Sequence, residues 1–197
     1  MKMVKRILGY FFELDKLEFT PRSGWNYLGI RDPESVMEHS CAAAQIAFVL
    51  AIMEGYKNPC HCATLLVFHD TDEDRSLDQN RVSKCYNKTD HEQAMRDQTF
   101  GLGEVGHKVA LVWNEFEEGK TQASIIARDA DVLQMMVRAR KLMVSGYPDA
   151  VEWIDSGEKR LQTKSANSLA EELRDADPNA WWKEFKSRRN FADTVGM

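Results

Sequence analysis

Apolar residues recur along this chain at helical spacing. Ile7, Phe11, Leu14 and Leu17 fall three and four residues apart, which predicts a helix from about Val4 to Lys16 with one apolar face. From Phe19 to Arg31 the pattern lapses, and Pro21, Gly24 and Gly29 mark the stretch as irregular. A second helix is announced by Asp32-Pro33-Glu34-Ser35. Either Asp32 caps it with Pro33 at the first helical position, or Ser35 and Glu38 form a capping box slightly later. It continues through Ala43, Ile46, Ala47, Leu50 and Met53 to Gly55, and Asn58-Pro59 opens a third helix containing Leu65-Leu66-Val67-Phe68 and closing on His69-Asp70. The stretch from Thr71 to Asp90 is polar and lacks apolar periodicity. Shorter helices are predicted around His91–Thr99 and Glu104–Glu118. After Gly119, a long one from about Gln122 to Val144 carries Ile125, Ile126, Val132, Leu133, Met136 and Val137. Pro148 opens another helix, and a last one runs from Ser168 toward the basic tail Lys186-Ser187-Arg188-Arg189. No β-branched alternation and no internal repeat is present, so the predicted fold is all-α, a single-domain helical bundle.

Composition narrows the classes of partner. With 197 residues the chain suits one well-cored domain. A net charge of -5, from 26 basic and 31 acidic residues, gives it no phosphate-binding excess of positive charge, which disfavours nucleic acid as the main partner. A small phosphorylated ligand needs only a few well-placed cations. No apolar run approaches the ~20 residues that span a bilayer. The basic start leads into too short an apolar stretch for a signal peptide, so no membrane contact and a cytoplasmic location are expected. Four cysteines, Cys41, Cys60, Cys62 and Cys85, do not make a secreted disulfide framework. Cys60-His61-Cys62 leaves too little chain between its thiols for a structural zinc pair, and reads as a helix start with Cys62 facing a core. His61, His91 and His107 have no partner at ligand spacing and are expected to be exposed, while Met135-Met136 reads as core filler.

The informative polar residues are those that interrupt apolar helices. His39 stands in an alanine-rich helix. His69-Asp70 follows four apolar residues, a costly place for an imidazole and a carboxylate unless they are paired or bind a metal. Glu73 lies four residues after His69, so both project on one side if the helix continues. Asp129-Ala130-Asp131 precedes the apolar Val132-Leu133, which puts at least one of these carboxylates beside the core-facing stripe. Two histidines and two aspartates on three helices form a mixed nitrogen and oxygen set suited to Mn²⁺, Fe²⁺, Co²⁺ or Zn²⁺, with Mg²⁺ also possible. Such a site with open positions activates water and neutralises a phosphoryl oxygen.

These blocks resemble the HD-domain metal-dependent phosphohydrolases, and more narrowly their 5′-deoxynucleotidase branch. The likeness is carried by Arg22-Ser23-Gly24-Trp25, Pro33-Glu34-Ser35-Val36-Met37-Glu38-His39, Phe68-His69-Asp70 with Glu73 and Asp78, Glu117-Glu118-Gly119-Lys120, and Asp129-Ala130-Asp131-Val132-Leu133. It spans residues 1 to about 145. The resemblance implies an HD-type core over residues 1–150, with helices of 151–197 packing on it. It implies one divalent metal ion held by His39, His69, Asp70 and Asp131, with Glu73 and Asp70 as catalytic groups, Glu73 positioning or activating the attacking water. Arg22 is then expected at the 5′-phosphate, Trp25 near the sugar, and Asp78 at the 3′-hydroxyl, where a crowded pocket rejects a ribose. The implied substrate is a deoxyribonucleoside 5′-monophosphate and the implied assembly a homodimer. In the better-known bacterial members the arginine directly precedes the tryptophan; here Ser23-Gly24 stands between them. Two alternatives keep the same blocks. One is a deoxynucleoside triphosphate triphosphohydrolase, for which Arg75, Arg81 and Lys84 are the evident supply of cations; the other is a non-catalytic nucleotide-binding module.

Overall fold

Several of the helix starts are set by side-chain caps. In the computed structural model, which describes residues 2–188, Ser35 rather than Asp32 caps the second helix. The Ser35 hydroxyl accepts from the Glu38 amide (3.1 Å), and the Glu38 carboxylate accepts from the Ser35 amide (2.8 Å). The described helices are α1 (Lys2–Asp15), α2 (Val36–Met53), α3 (Pro59–Phe68), α4 (Glu73–Ser76), α5 (Arg81–Tyr86) and α6 (His91–Thr99), followed by α7 (Glu104–Glu118), α8 (Gln122–Val144), α9 (Val151–Glu158), α10 (Lys164–Leu173) and α11 (Ala180–Arg188). The side chains of Asn58, Asp90, Thr121 and Thr163 cap α3, α6, α8 and α10 by accepting from the third helical amide alone. No strand is present among the described residues. The irregular segment is pinned to the start of α2 by two antiparallel backbone bonds, Arg22 N–H to Glu34 O (2.9 Å) and Val36 N–H to Thr20 O (2.8 Å).

Three helices make the core. Ala43, Ala47 and Leu50 of α2, Cys62, Leu65 and Leu66 of α3, and Ile126, Ala127, Ala130 and Leu133 of α8 are buried together. The alanines let the three axes approach closely, and each fully buried leucine contributes about 1.5–3 kcal/mol. α2, at 18 residues and mean hydropathy 1.6, is apolar enough by length and composition to cross a membrane, more so than the sequence reading allowed. One of its faces packs on α3 and α8; the other leaves Phe48, Val49 and Ile52 exposed.

A second cluster joins Tyr10 of α1 to Met95, Leu102, Val109 and Trp113 of the α6–α7 region. α1 docks through Tyr10, with Ile7 and Leu14 partly buried as expected, while Phe11 is exposed, so Tyr10 takes the place in the apolar face that the spacing assigns to Phe11. The C-terminal region departs more. The single final helix expected from Ser168 is two helices, because Pro178 lacks an N–H and disfavours helical geometry at Asp177. α9 and α10 pack on α8, and the described part of the basic tail ends at Arg188, leaving Arg189 outside the described residues.

Candidate metal centre

Two buried imidazoles approach each other from α2 and the end of α3. His39 and His69 are fully or almost fully buried, with ring centroids 5.4 Å apart. Each ring has its Nδ1 committed. His69 Nδ1 faces the Leu66 carbonyl at 2.9 Å, an atom that can only accept, so Nδ1 carries the proton. His39 Nδ1 lies 2.6 Å from Gln134 Oε1. The Gln134 amide is oriented by its own N–H, which donates to Glu34 Oε2 (3.0 Å), and Glu34 Oε1 accepts from the Trp25 indole (3.0 Å). A chain Trp25–Glu34–Gln134 thus fixes the tautomer of His39.

Both Nε2 atoms are buried without a hydrogen-bond partner. His39 Nε2 lies 3.1 Å from Asp131 Oδ1 and 3.7 Å from Asp70 Oδ2; His69 Nε2 lies 3.0 Å from Asp70 Oδ2 and 4.0 Å from Asp131 Oδ1. With the ring protons on Nδ1, these are four lone-pair-bearing atoms turned toward one another, an arrangement that a divalent cation satisfies. His39, His69 and Asp70 present ligand atoms all within 4.8 Å of one another, and Asp131 closes the set. Positive charge at this point suits the carboxylates: burial acts to raise the Asp131 carboxyl, but imidazoles in their charged form at His39 and His69 hold it down at about 2, a role that a bound cation takes over when the rings are neutral. Asp70 is likewise held well below the usual carboxylate range by His69, Arg22 and His39, against the effect of burial.

The two carboxylates of the Asp-Ala-Asp block have different tasks. Asp129 points away from the histidines and accepts from the backbone N–H groups of Gln162 (3.0 Å) and Thr163 (2.6 Å), so only Asp131 reaches the centre. Glu73 arrives by a different route from the one expected. The helix stops at Phe68, a turn carries His69 to Asp72, and α4 restarts at Glu73, with the Glu73 amide bonded to Asp70 O (3.1 Å). Burial first, then the charges of Asp70 and Asp78, push the Glu73 carboxyl up to about 10.

The centre opens into a cleft of about 550 Å³, lined by Arg22, Trp25, Glu73 and Asp78 among others. Arg22 Nη1 lies 3.1 Å from Asp70 and 3.4 Å from Asp78, and Asp78 also accepts from the Ser23 amide. The expected binding residues therefore share one cavity with His69, Asp70 and Asp131, with His39 buried behind them, but Arg22 is held between two carboxylates. Leu77, just before Asp78, has φ 62°, a strained setting for a side chain with a Cβ. Of the cations expected near the phosphates, Arg81 and Lys84 line the cleft, whereas Arg75 pairs with Glu13 of α1.

Sequence reasoning missed several residues here. Gln134 stands three residues after Asp131, a spacing that puts both on one helix side, and Glu34 lies inside the quoted block. Trp153, which stacks on Trp25 (centroids 5.2 Å), and Lys159 and Arg160, which line the cleft, left no local signal. Two histidines expected to be exposed are half-buried and paired: His61 Nε2 lies 2.9 Å from Glu115, and His91 Nδ1 lies 2.6 Å from the buried Asp72, which also accepts from Trp113. His107 is exposed, Cys62 is buried, and the cysteines are free.

Comparison with known proteins places this geometry. A family model described as an HD domain matches residues 14–172, beyond the stretch over which the motifs were legible. The 5′-deoxynucleotidase HDDC2 of Danio rerio is 29% identical over 131 residues, 64% of this chain and 64% of that protein, so the chain spans less than two thirds of that relative. The protein of the same name in Dictyostelium discoideum is 28% identical over 142 residues, 67% of this chain and 75% of that one. A conserved hypothetical protein from Pyrococcus furiosus has the same fold, with TM-score 0.70 at 23% identity over 86% of this chain and 99% of that chain.

Proposed function

Because the chain belongs to the HD-domain family, we propose that it is a metal-dependent phosphohydrolase that releases orthophosphate from deoxyribonucleoside 5′-monophosphates. The observation that carries this reading is the pair of buried imidazoles whose free Nε2 atoms converge on Asp70 and Asp131 at the floor of a nucleotide-sized cleft. His39, His69, Asp70 and Asp131 hold one divalent ion. When bound, such an ion supplies positive charge for a phosphoryl oxygen and a more acidic water.

The other groups divide the remaining work. Glu73, whose carboxyl lines the cleft one turn beyond Asp70, positions or activates the attacking water. Arg22 holds Asp70 and Asp78 in place and offers its guanidinium to the phosphate. Trp25, stacked on Trp153, makes the apolar wall for the sugar, and Asp78 accepts from the 3′-hydroxyl. The names of the curated relatives support a monophosphate substrate.

A second reading, cleavage of deoxynucleoside triphosphates, is favoured by the cations Arg81, Lys84, Lys159 and Arg160 that line the same cleft. The product separates the two. Purified protein is incubated with deoxynucleoside and ribonucleoside monophosphates and with deoxynucleoside triphosphates, with Mn²⁺, Co²⁺ or Mg²⁺ or with chelator, and Asp70→Ala serves as the blank. The proposal expects metal-dependent orthophosphate from the deoxy monophosphates alone. Tripolyphosphate from the triphosphates replaces it with the second reading, and bound metal without turnover on any nucleotide replaces it with a binding module.

A further inference from the structure

Among the cations of the cleft, Arg22 is the one most committed to carboxylates. Arg22 faces Asp70, Asp78 and Asp131 and is already bonded to the first two. One guanidinium among three carboxylates is a poor sole host for a phosphate dianion, even with a divalent ion on the histidines. A second cation stands on the opposite end of a metal-site carboxylate. Asp131 turns Oδ1 toward His39 Nε2 at 3.1 Å and Oδ2 toward Arg160 Nη2 at 3.9 Å. Arg160 is therefore one carboxylate's width from the centre. Its side chain is 48% exposed, and 3.9 Å is a charge contact rather than a hydrogen bond, so its donors can be exchanged to a ligand at little cost.

Arg160 is also held in position. Three residues before it, Gly157 lies against α8 so closely that a Cβ would stand 2.6 Å from Met136 Sδ and 3.2 Å from Val132 Cγ1. The Arg160 amide itself donates to Gly157 O at 2.8 Å. Two and three residues after it, the Gln162 and Thr163 amides are captured by Asp129. The segment carrying Arg160 is thus clamped on both sides to the helix that carries Asp131. The Asp-Ala-Asp block serves both ends of this arrangement, one carboxylate at the metal centre and the other anchoring the cation.

We propose that Arg160, presented by the segment after α9, is a phosphate-binding residue of this site, completing with Arg22 the cationic clamp on the substrate's phosphoryl group. The inference rests on the phosphohydrolase reading for its substrate, but not for its phosphate. The test is therefore run in two arms, on wild type, Arg160→Ala and Arg160→Lys, each loaded with Mn²⁺. In the first arm, binding of inorganic phosphate is measured by calorimetry. Arg160→Ala is expected to weaken it about tenfold, the scale of one lost charge-assisted contact, with Arg160→Lys recovering part of the loss. Mn²⁺ affinity and Tm are expected to stay at wild-type values, as befits a half-exposed side chain.

In the second arm, KM for a deoxynucleoside monophosphate rises by a similar factor while kcat changes far less. Phosphate affinity in Arg160→Ala indistinguishable from wild type overturns the proposal. So does a parallel loss of Mn²⁺ affinity, which makes Arg160 a support for Asp131 instead. If wild type turns over no monophosphate, the functional reading fails, and the calorimetric arm still decides on Arg160.

Discussion

Gln134 shows how a single amide can govern a candidate metal centre. Its carbonyl faces His39 Nδ1 at 2.6 Å while its N–H is spent on Glu34, so His39 keeps its Nε2 lone pair available to a cation. Replacing Gln134 with Leu keeps the volume and removes the acceptor, and should weaken Mn²⁺ binding about 10- to 100-fold. Calorimetric titration of the metal-free protein reads this directly, and an unchanged affinity would mean that the ring is oriented by something else. Asp74 gives a contrasting case at the same scale. Burial, with the charge of Glu13 second, pushes its carboxyl up to about 6, so the folded chain holds this proton more tightly than the unfolded chain does. The stabilisation it brings is complete below the ordinary Asp pKa and is lost as pH rises through about 6. Asp74→Asn keeps an acceptor for Gln98 and carries no charge at any pH. Its Tm should exceed that of wild type at pH 7, and the gap should close as pH falls toward 4, which melting curves across this range will check.

At the scale of elements, the start of α2 is the critical joint. Its capping box fixes the first turn, and the same few residues deliver Glu34 to Gln134, Arg22 to the cleft and His39 to the centre. Ser35→Ala leaves the Glu38 amide without its side-chain acceptor and should cost about 1 kcal/mol of stability, measurable by urea unfolding. This joint was legible, because Ser35 and Glu38 stand at capping-box spacing. The competing start at Asp32-Pro33 obeyed equally good local rules, and lost because the 34–36 segment pairs its backbone with residues 20–22. The end of α3 was legible to within a residue, since the apolar run closes on His69-Asp70 and a polar stretch follows. What local pattern did not show is the short helix α4, from which Glu73 enters the cleft rather than from the same helix as His69.

At the scale of the whole molecule, three helices bring four metal-capable groups together, and a fourth segment supplies a wall to the cleft they share. α8 is the common member: it contributes Leu133 to the core, Gln134 and Asp131 to the centre, and Asp129 to the anchoring of the C-terminal segment. The order of motifs along the chain carried the first part of this. His39, His69-Asp70 and Asp131 stand out because each places a charged or metal-capable group beside apolar helix positions, and that incongruity is local. Likewise, the all-α class follows from periodicity and caps, each encoded within a few neighbouring residues.

What only the tertiary structure decided is which distant residues meet. Tyr10 rather than Phe11 faces the core because α6 and α7 lie on that side. His91 finds the buried Asp72, and Arg75 turns to Glu13 instead of the cleft. Trp153 comes to the site by stacking on Trp25, and Arg160 through contacts of its segment with α8, in both cases across tens of residues of intervening chain. Such contacts arise from the packing of one helix surface on another and leave no spacing rule in the sequence. The sequence by itself therefore determined the core helices and the histidines and aspartates that interrupt their apolar runs. Packing determined the shape and charge of the cleft, because both are sums over residues that only the fold makes neighbours.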